Sequence, residues 1–183
     1  MTAFYYLMSL AINTYLMLII LRIWLQAANA DYYNPLSQFT VKVTQPCLIP
    51  LKKIIPNAGR IDFAAVVLAL IISFAKYKLL YSIQGQGFPL VYQLTLAVLG
   101  CVKEVGTLLF WMLIIRAVLS WISRGFNPFE ILLAQLTEPF MAPIRNKLPD
   151  LGGLDLSPML LLVLLNFCNF LMFNLLGPLW SIA

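Results

Sequence analysis

Residues Asn127 to Pro158 read NPFEILLAQLTEPFMAPIRNKLPDLGGLDLSP, and Asn34 to Asp62 read NPLSQFTVKVTQPCLIPLKKIIPNAGRID. Sliding one over the other by 93 positions needs no gap. It superposes Asn34 on Asn127, Pro35 on Pro128, Thr44 on Thr137 and Pro46 on Pro139. Pro50 meets Pro143, Pro56 meets Pro149, Gly59 meets Gly152 and Asp62 meets Asp155. One gap upstream brings Arg22 over Arg116. Apolar composition alone does not reproduce proline spacing, because each proline fixes φ and deletes a backbone donor. Each copy is a punctuated polar segment between two apolar runs. The chain therefore reads as a tandem duplication, one unit used twice.

The apolar runs set the solvent. Hydrophobic residues make up 62% of the chain and charged residues 10%, where a soluble domain is nearer half apolar and a quarter charged. This predicts an all-α integral membrane protein. Histidine is absent, which removes the commonest general base and a usual haem and metal ligand. Cys47, Cys101 and Cys168 form no CxxC pair, so they read as small apolar residues, with neither a metal site nor a redox motif indicated. No cofactor is expected. The net charge of +5 suits anionic lipid head groups. No dense basic run points to nucleic acid.

Four spans follow. Ala3 to Leu25 is long enough for roughly 30 Å of hydrocarbon, with Phe4, Tyr5, Tyr6 and Trp24 near the ends where interfacial aromatics belong. No cleavage signature is evident, so it reads as a retained span. Phe63 to Ile83 is the second. Phe88 to Ile122 is near 50 Å at about 1.5 Å per residue, too long for one perpendicular span and too short for two. It reads as one long or tilted helix, with its core over residues 97–122 and a bend near Gly100 or Gly106. The fourth span covers 158–176, from about Met159 to Leu176, and is closed by Gly177-Pro178. Repeat 1 is then 1–87 and repeat 2 is 88–183.

Between the spans lie segments 34–61 and 127–157. Asn34-Pro35 and Asn127-Pro128 are helix starts, with asparagine as cap and proline at the first helical position. Glu130 stands three residues after its cap, as in a capping box. Both short helices are expected to stop before Pro46 and Pro139. Pro50, Pro56, Pro143 and Pro149 then punctuate each copy, around the basic residues Lys52, Lys53, Arg145 and Lys147. The natural use is an amphipathic hairpin in the interface, with Leu36, Phe39, Phe129, Leu132 and Leu136 turned inward or toward lipid. The rival is a re-entrant loop, which needs protein or water over its backbone. Asp62 and Ser157-Pro158 start the spans that follow.

Two spans per repeat return the chain to one side, so the copies should be parallel, related by an axis along the membrane normal. A separate span over 88–101 would invert them. Basic residues near span ends place both polar segments in the cytoplasm and both termini in the periplasm, although Lys76, Lys78 and Lys103 sit toward the other side.

Several polar groups fall inside the spans. The alignment sets Asn13 opposite Thr107, Ser73 opposite Asn166, and Lys76 opposite Asn169. Such groups are expected to hydrogen-bond across helices, either as glue or as a polar path between repeats. Asn166 and Asn169 share a face at i, i+3. Lys103 and Glu104 are costly at mid-bilayer, on the order of 2.5–3.5 kcal/mol per charge. Glu104 is expected to pair with Lys76 or Lys78.

The second copy carries Arg116, Ser120-Trp121, Asn127-Pro128, Thr137-Glu138-Pro139, Pro143-x-Arg145 and the run Gly152-Gly153-Leu154-Asp155-Leu156-Ser157-Pro158. With these elements the chain resembles the YggT (YlmG) family of bacterial inner-membrane proteins, in its two-repeat proteobacterial form. The first copy departs from the pattern: Gln26 replaces Ser-Trp, Gln45 replaces Glu138, Lys52 replaces Arg145, and Arg60 replaces the second glycine. The resemblance implies links to osmotic or salt-stress tolerance, to cell or plastid division and nucleoid organisation, and in plastids to cytochrome b6 maturation. It implies no established enzyme. An assembly factor for a haem protein need not ligate haem, so the missing histidine leaves that role open.

The reading is therefore a non-enzymatic assembly or organising factor. Its surface segments would hold anionic lipid, another membrane protein or a second copy through Arg22, Lys52, Lys53, Arg116, Arg145 and Lys147. Glu138, Asp155 and Asp62 would lock the segments. The alternative is an ion or osmolyte path between repeats or through an oligomer, and the polar lining for it is thin.

Overall fold

The computed structural model describes residues 3–55, 61–83, 85, 89–122, 127–147 and 157–183. Pro56, Arg60, Arg124, Pro149, Gly152, Gly153 and Asp155 lie outside the described residues, as do the side chains of Ser120 and Trp121. The described elements are all helical: α1 (Ala3–Ala27), α2 (Pro35–Lys52), α3 (Phe63–Ile83), α4 (Leu90–Ile122), α5 (Pro128–Arg145), α6 (Ser157–Leu176) and α7 (Pro178–Ile182). Four of them, α1, α3, α4 and α6, are long and apolar enough to cross a membrane.

α1 runs unbroken because no glycine or proline interrupts Ala3–Ala27. It stops at Asn29, whose φ of 49° is left-handed. The Ala30 amide then bonds the Leu25 carbonyl at 2.9 Å and the Asn29 amide bonds that of Gln26 at 3.1 Å, the paired closure that satisfies a helix's last carbonyls. α4 is one helix of 33 residues, so 88–101 forms no separate span and the count stays at four. Gly177, with φ of 55°, ends α6 and turns the chain into α7.

The surface segments differ from expectation in one respect. α2 and α5 do not stop at Pro46 and Pro139. Each continues for 18 residues, with Pro46 and Pro50, or Pro139 and Pro143, inside it. A proline i removes only the bond to the carbonyl of residue i−4 and crowds it. Spaced four apart, the two prolines of each helix spend those losses along one line of its surface. Pro46, Pro50, Pro139 and Pro143 are all exposed, so the freed carbonyls can turn to the polar side. Each unit is thus span, surface helix, span, and the helical part of the hairpin is one rod.

α1, α3 and α4 pack against one another, and α6 packs on α4. α2 lies against α1 and α3, as α5 lies against α4 and α6. The core joins both repeats, with Leu16 and Ile19 of α1, Leu109 and Leu113 of α4, and Leu132 and Leu136 of α5. Small residues allow helices to approach where no aqueous hydrophobic effect drives them together. Ala64, Ala65 and Ala69 do this on α3. Gly100 does it on α4, where a Cβ would stand 2.6 Å from the Tyr77 hydroxyl.

Candidate functional site: two arginine-clamped surface helices

The same device fixes each surface helix to its preceding span. In repeat 1, Arg22 near the end of α1 reaches over α2. Its Nη1 donates to Thr44 Oγ1 at 2.7 Å and to the Val41 carbonyl at 3.3 Å, and its Nη2 to Gln45 Oε1 at 3.1 Å. In repeat 2, Arg116 Nη1 donates to Thr137 Oγ1 and its Nη2 to Glu138 Oε2 at 3.1 Å. A guanidinium suits this work, because its planar fork engages two acceptors in fixed directions. Thr44 and Thr137 are fully buried, and each also donates back to its own helix, at Thr40 and Leu133 respectively.

The copies differ in charge. Glu138 also accepts from Arg145 Nη1 at 2.7 Å, so repeat 2 carries an Arg116–Glu138–Arg145 ion network. Gln45 offers Arg22 no charge. Lys52, at the Arg145 position, stands 2.6 Å from the Asp62 carboxylate instead. Asp62 is fully buried and caps α3 through the Ala65 amide at 3.2 Å. Of the six basic residues expected to face a ligand, Arg22, Arg116, Lys52 and Arg145 thus hold the protein together, and Lys53 and Lys147 are exposed.

The starts of the two helices meet. Asn34 and Asn127 each accept from the amide two residues on, at 3.0 Å, as caps should. Asn34 Nδ2 also donates to the Pro128 carbonyl at 3.0 Å, so both Asn-Pro starts lie on one face of the molecule. Trp24 of α1 packs on Phe140 of α5 with ring centroids 5.5 Å apart. The capping box is not formed: Glu130 Oε1 is buried without a hydrogen-bond partner, tucked into the protein instead of folded back over the helix start. Of the predicted apolar face, Leu132 and Leu136 are buried, Leu36 and Phe129 pack against the core, and Phe39 is exposed.

A second polar cluster lies at the other end of the bundle, about 20 Å along α3 from Phe63 at 1.5 Å per residue. Ser73 Oγ donates across helices to the Ala97 carbonyl at 2.9 Å. Lys76 Nζ bonds the Tyr77 hydroxyl at 3.3 Å, and that hydroxyl donates to the Ala183 carbonyl at 2.7 Å. Lys103 Nζ donates to the Trp180 carbonyl at 3.0 Å, and Trp180 Nε1 to Asn169 Oδ1 at 2.8 Å. The expected ion pair of Glu104 with Lys76 or Lys78 is not made: Glu104 Oε2 is buried without a hydrogen-bond partner. Lys76 and Lys103 act on it only through space, because Lys76 is drawn to the tyrosine and Lys78 is exposed. Thr107 and Asn166 bond carbonyls of their own helices instead of crossing to another, and Asn13 Oδ1 is buried without a partner. Among the described residues no cluster of three or more His, Cys, Asp or Glu side chains suits a metal ion.

The clamps were implicit in the repeated Arg22/Arg116 and Thr44/Thr137, which align once a single gap is allowed. Nothing in the sequence pointed to Trp180 as the lid of the second cluster.

Comparison with known proteins adds the following. The family model described as CCB3/YggT matches residues 1–83 and 95–176. A Vibrio alginolyticus protein described as "Uncharacterized protein in proC 3'region" is 49% identical over 183 residues, 98% of each chain. The Escherichia coli K12 protein "Uncharacterized protein YggT" is 44% identical over 164 residues, 90% of this chain and 86% of its own. The Arabidopsis thaliana "YlmG homolog protein 2, chloroplastic" is 38% identical over 55 residues, 30% of this chain and 22% of its own. No solved structure matches the chain.

Proposed function

The chain belongs to the CCB3/YggT family, and from that membership we propose that it is a non-enzymatic organising or assembly factor of the bacterial inner membrane, serving envelope or osmotic-stress tolerance. The observation that carries this reading is the repeated clamp. The buried Arg22 and the partly buried Arg116 each fix one surface helix to its preceding span, and the starts of the two helices meet on one face. A fixed, mixed apolar and basic platform suits a partner protein at the cytoplasmic leaflet, with Phe39, Lys53, Phe140 and Lys147 as its exposed groups. The test is site-specific photocrosslinking from positions 53 and 147 in native membranes, in wild type and in Arg116→Ala. A recurrent membrane-protein neighbour that disappears when the clamp is cut is expected. Equal capture with and without Arg116, or no recurrent neighbour, overturns the reading.

A transport role has one observation in its favour. A cleft of about 360 Å³ between α4, α6 and α7 holds Lys103, Thr107, Asn166 and Asn169. Saturable solute flux in liposomes, lost in Asn169→Leu, would move the assignment to transport.

A further inference from the structure

The duplication supplies an internal control for the ground around each clamp. An open cleft of about 1020 Å³ lies between the end of α1 and the first turns of α2. It is lined by Arg22, Asn29, Ser37, Gln38, Lys42 and Gln45, among others, and among the described residues no carboxylate lines it. The Arg22 side chain is 93% withdrawn from solvent at 7% exposure, and Ser37 is 4% exposed with its hydroxyl unpartnered. A buried guanidinium whose acceptors are all neutral is costly. Asp62 acts on Arg22 through space, but its carboxylate is already taken by Lys52 at 2.6 Å and by the Ala65 amide.

Repeat 2 shows the same positions neutralised from within. At the 93-residue offset, Ser37 becomes Glu130, Lys42 becomes Gln135 and Gln45 becomes Glu138. The equivalent set therefore holds one cation and two carboxylates, and Arg116 meets one of them at 3.1 Å. At these four positions repeat 1 holds two cations, Arg22 and Lys42, and no acid. The Arg22–Gln45 contact has the same 3.1 Å length, so the seat is preserved while its counter-charge is missing.

We propose that the α1–α2 cleft of repeat 1 is a binding site for a phosphate-bearing anion, a lipid phosphodiester head group or free phosphate. Arg22 and Lys42 supply the charge, and the Ser37 hydroxyl donates to a phosphate oxygen. Arginine suits such an oxyanion because two of its N–H groups can address two oxygens. The repeat 2 position takes no anion, because its own Glu138 occupies that role. The site goes beyond the organising reading and stands if that reading fails.

The test uses the full-length protein with two probes. Native mass spectrometry from nanodiscs of phosphatidylcholine with phosphatidylglycerol reads lipid retention, and calorimetric titration with inorganic phosphate reads the free anion. Gln45→Glu copies the pair already present at Arg116, and Lys42→Gln alters an exposed side chain, so both preserve the fold. Each is expected to weaken binding about tenfold or more, while Glu138→Gln does not weaken it. Retention of phosphatidylglycerol without phosphate binding identifies a head group, and phosphate binding identifies a soluble anion. No binding of either probe, or wild-type binding by both repeat 1 variants, overturns the proposal. An equal loss in Glu138→Gln does the same, since removing a carboxylate from repeat 2 cannot weaken an anion site built on Arg22 and Lys42 in repeat 1.

Discussion

The side-chain amide of Asn34 donates to the carbonyl oxygen of Pro128 at 3.0 Å while its oxygen caps α2. One residue thus starts its own helix and holds the start of the other. Asn127 is exposed and caps only its own helix. Asn34→Ala is expected to cost about 2 kcal/mol, a cap plus a buried bond, and Asn127→Ala about 1 kcal/mol. Thermal unfolding in detergent compares the two, and equal losses would mean that the inter-repeat bond contributes nothing.

The clamps rank by what they leave behind. Arg116→Ala leaves a fully buried threonine hydroxyl with only its own-helix bond, frees Glu138 from one partner, and is expected to cost about 2–3 kcal/mol. Glu138→Gln keeps the geometry that Gln45 already shows and should stay within about 1 kcal/mol, because the carboxylate is partly exposed. Chemical denaturation in micelles measures both. A larger loss for Glu138→Gln would mean that charge, not the fork geometry, secures α5.

Two glycines of α4 should respond oppositely. At Gly100 a Cβ would meet the Tyr77 hydroxyl at 2.6 Å and Ser73 Oγ at 3.1 Å. Gly100→Ala therefore forces α3 from α4 and is expected to cost about 1–3 kcal/mol. At Gly106 nothing lies within 4 Å, and Gly106→Ala should be neutral or stabilise by up to about 1 kcal/mol through helix propensity. Melting temperatures of the two variants settle the contrast.

Single cysteines at Lys53 and Lys147, in a chain with Cys47, Cys101 and Cys168 replaced by serine or alanine, should react with a membrane-impermeant maleimide from the same side. We expect that side to be the cytoplasm, following the basic residues near the span ends. Intact cells should protect both positions and inverted vesicles expose both. One labelled from each side would contradict the adjacency of the two helix starts.

The spans were legible because the membrane writes a plain rule into sequence: roughly twenty apolar residues for each crossing. Phe63–Ile83 appears with the boundaries read from the chain, and the asparagine caps are where their local chemistry puts them. The proline-bearing helices were underestimated. A proline's local penalty is visible in sequence, but the arginine that pins the same turn from another helix is not. Side-chain partners inside the bundle were harder still. The partner of Glu104 depends on how α3 and α4 rotate about their axes, and the close approach of Tyr77 to Gly100 is one of the contacts between those two helices. Gln45 looked like drift from a family pattern until the clamp showed what Glu138 does.

α6 buries little more than Ser157 and Leu161 along its length, and the α7 turn with Trp180 fastens its far end. The last transmembrane rod is therefore expected to act as a separate foldon, latched at its far end by Trp180, with bilayer hydrocarbon standing in for protein neighbours. Removing that hydrocarbon should loosen this rod before the α1–α3–α4 core gives way. In detergent, its amides should be the first of the spanning helices to exchange with deuterium.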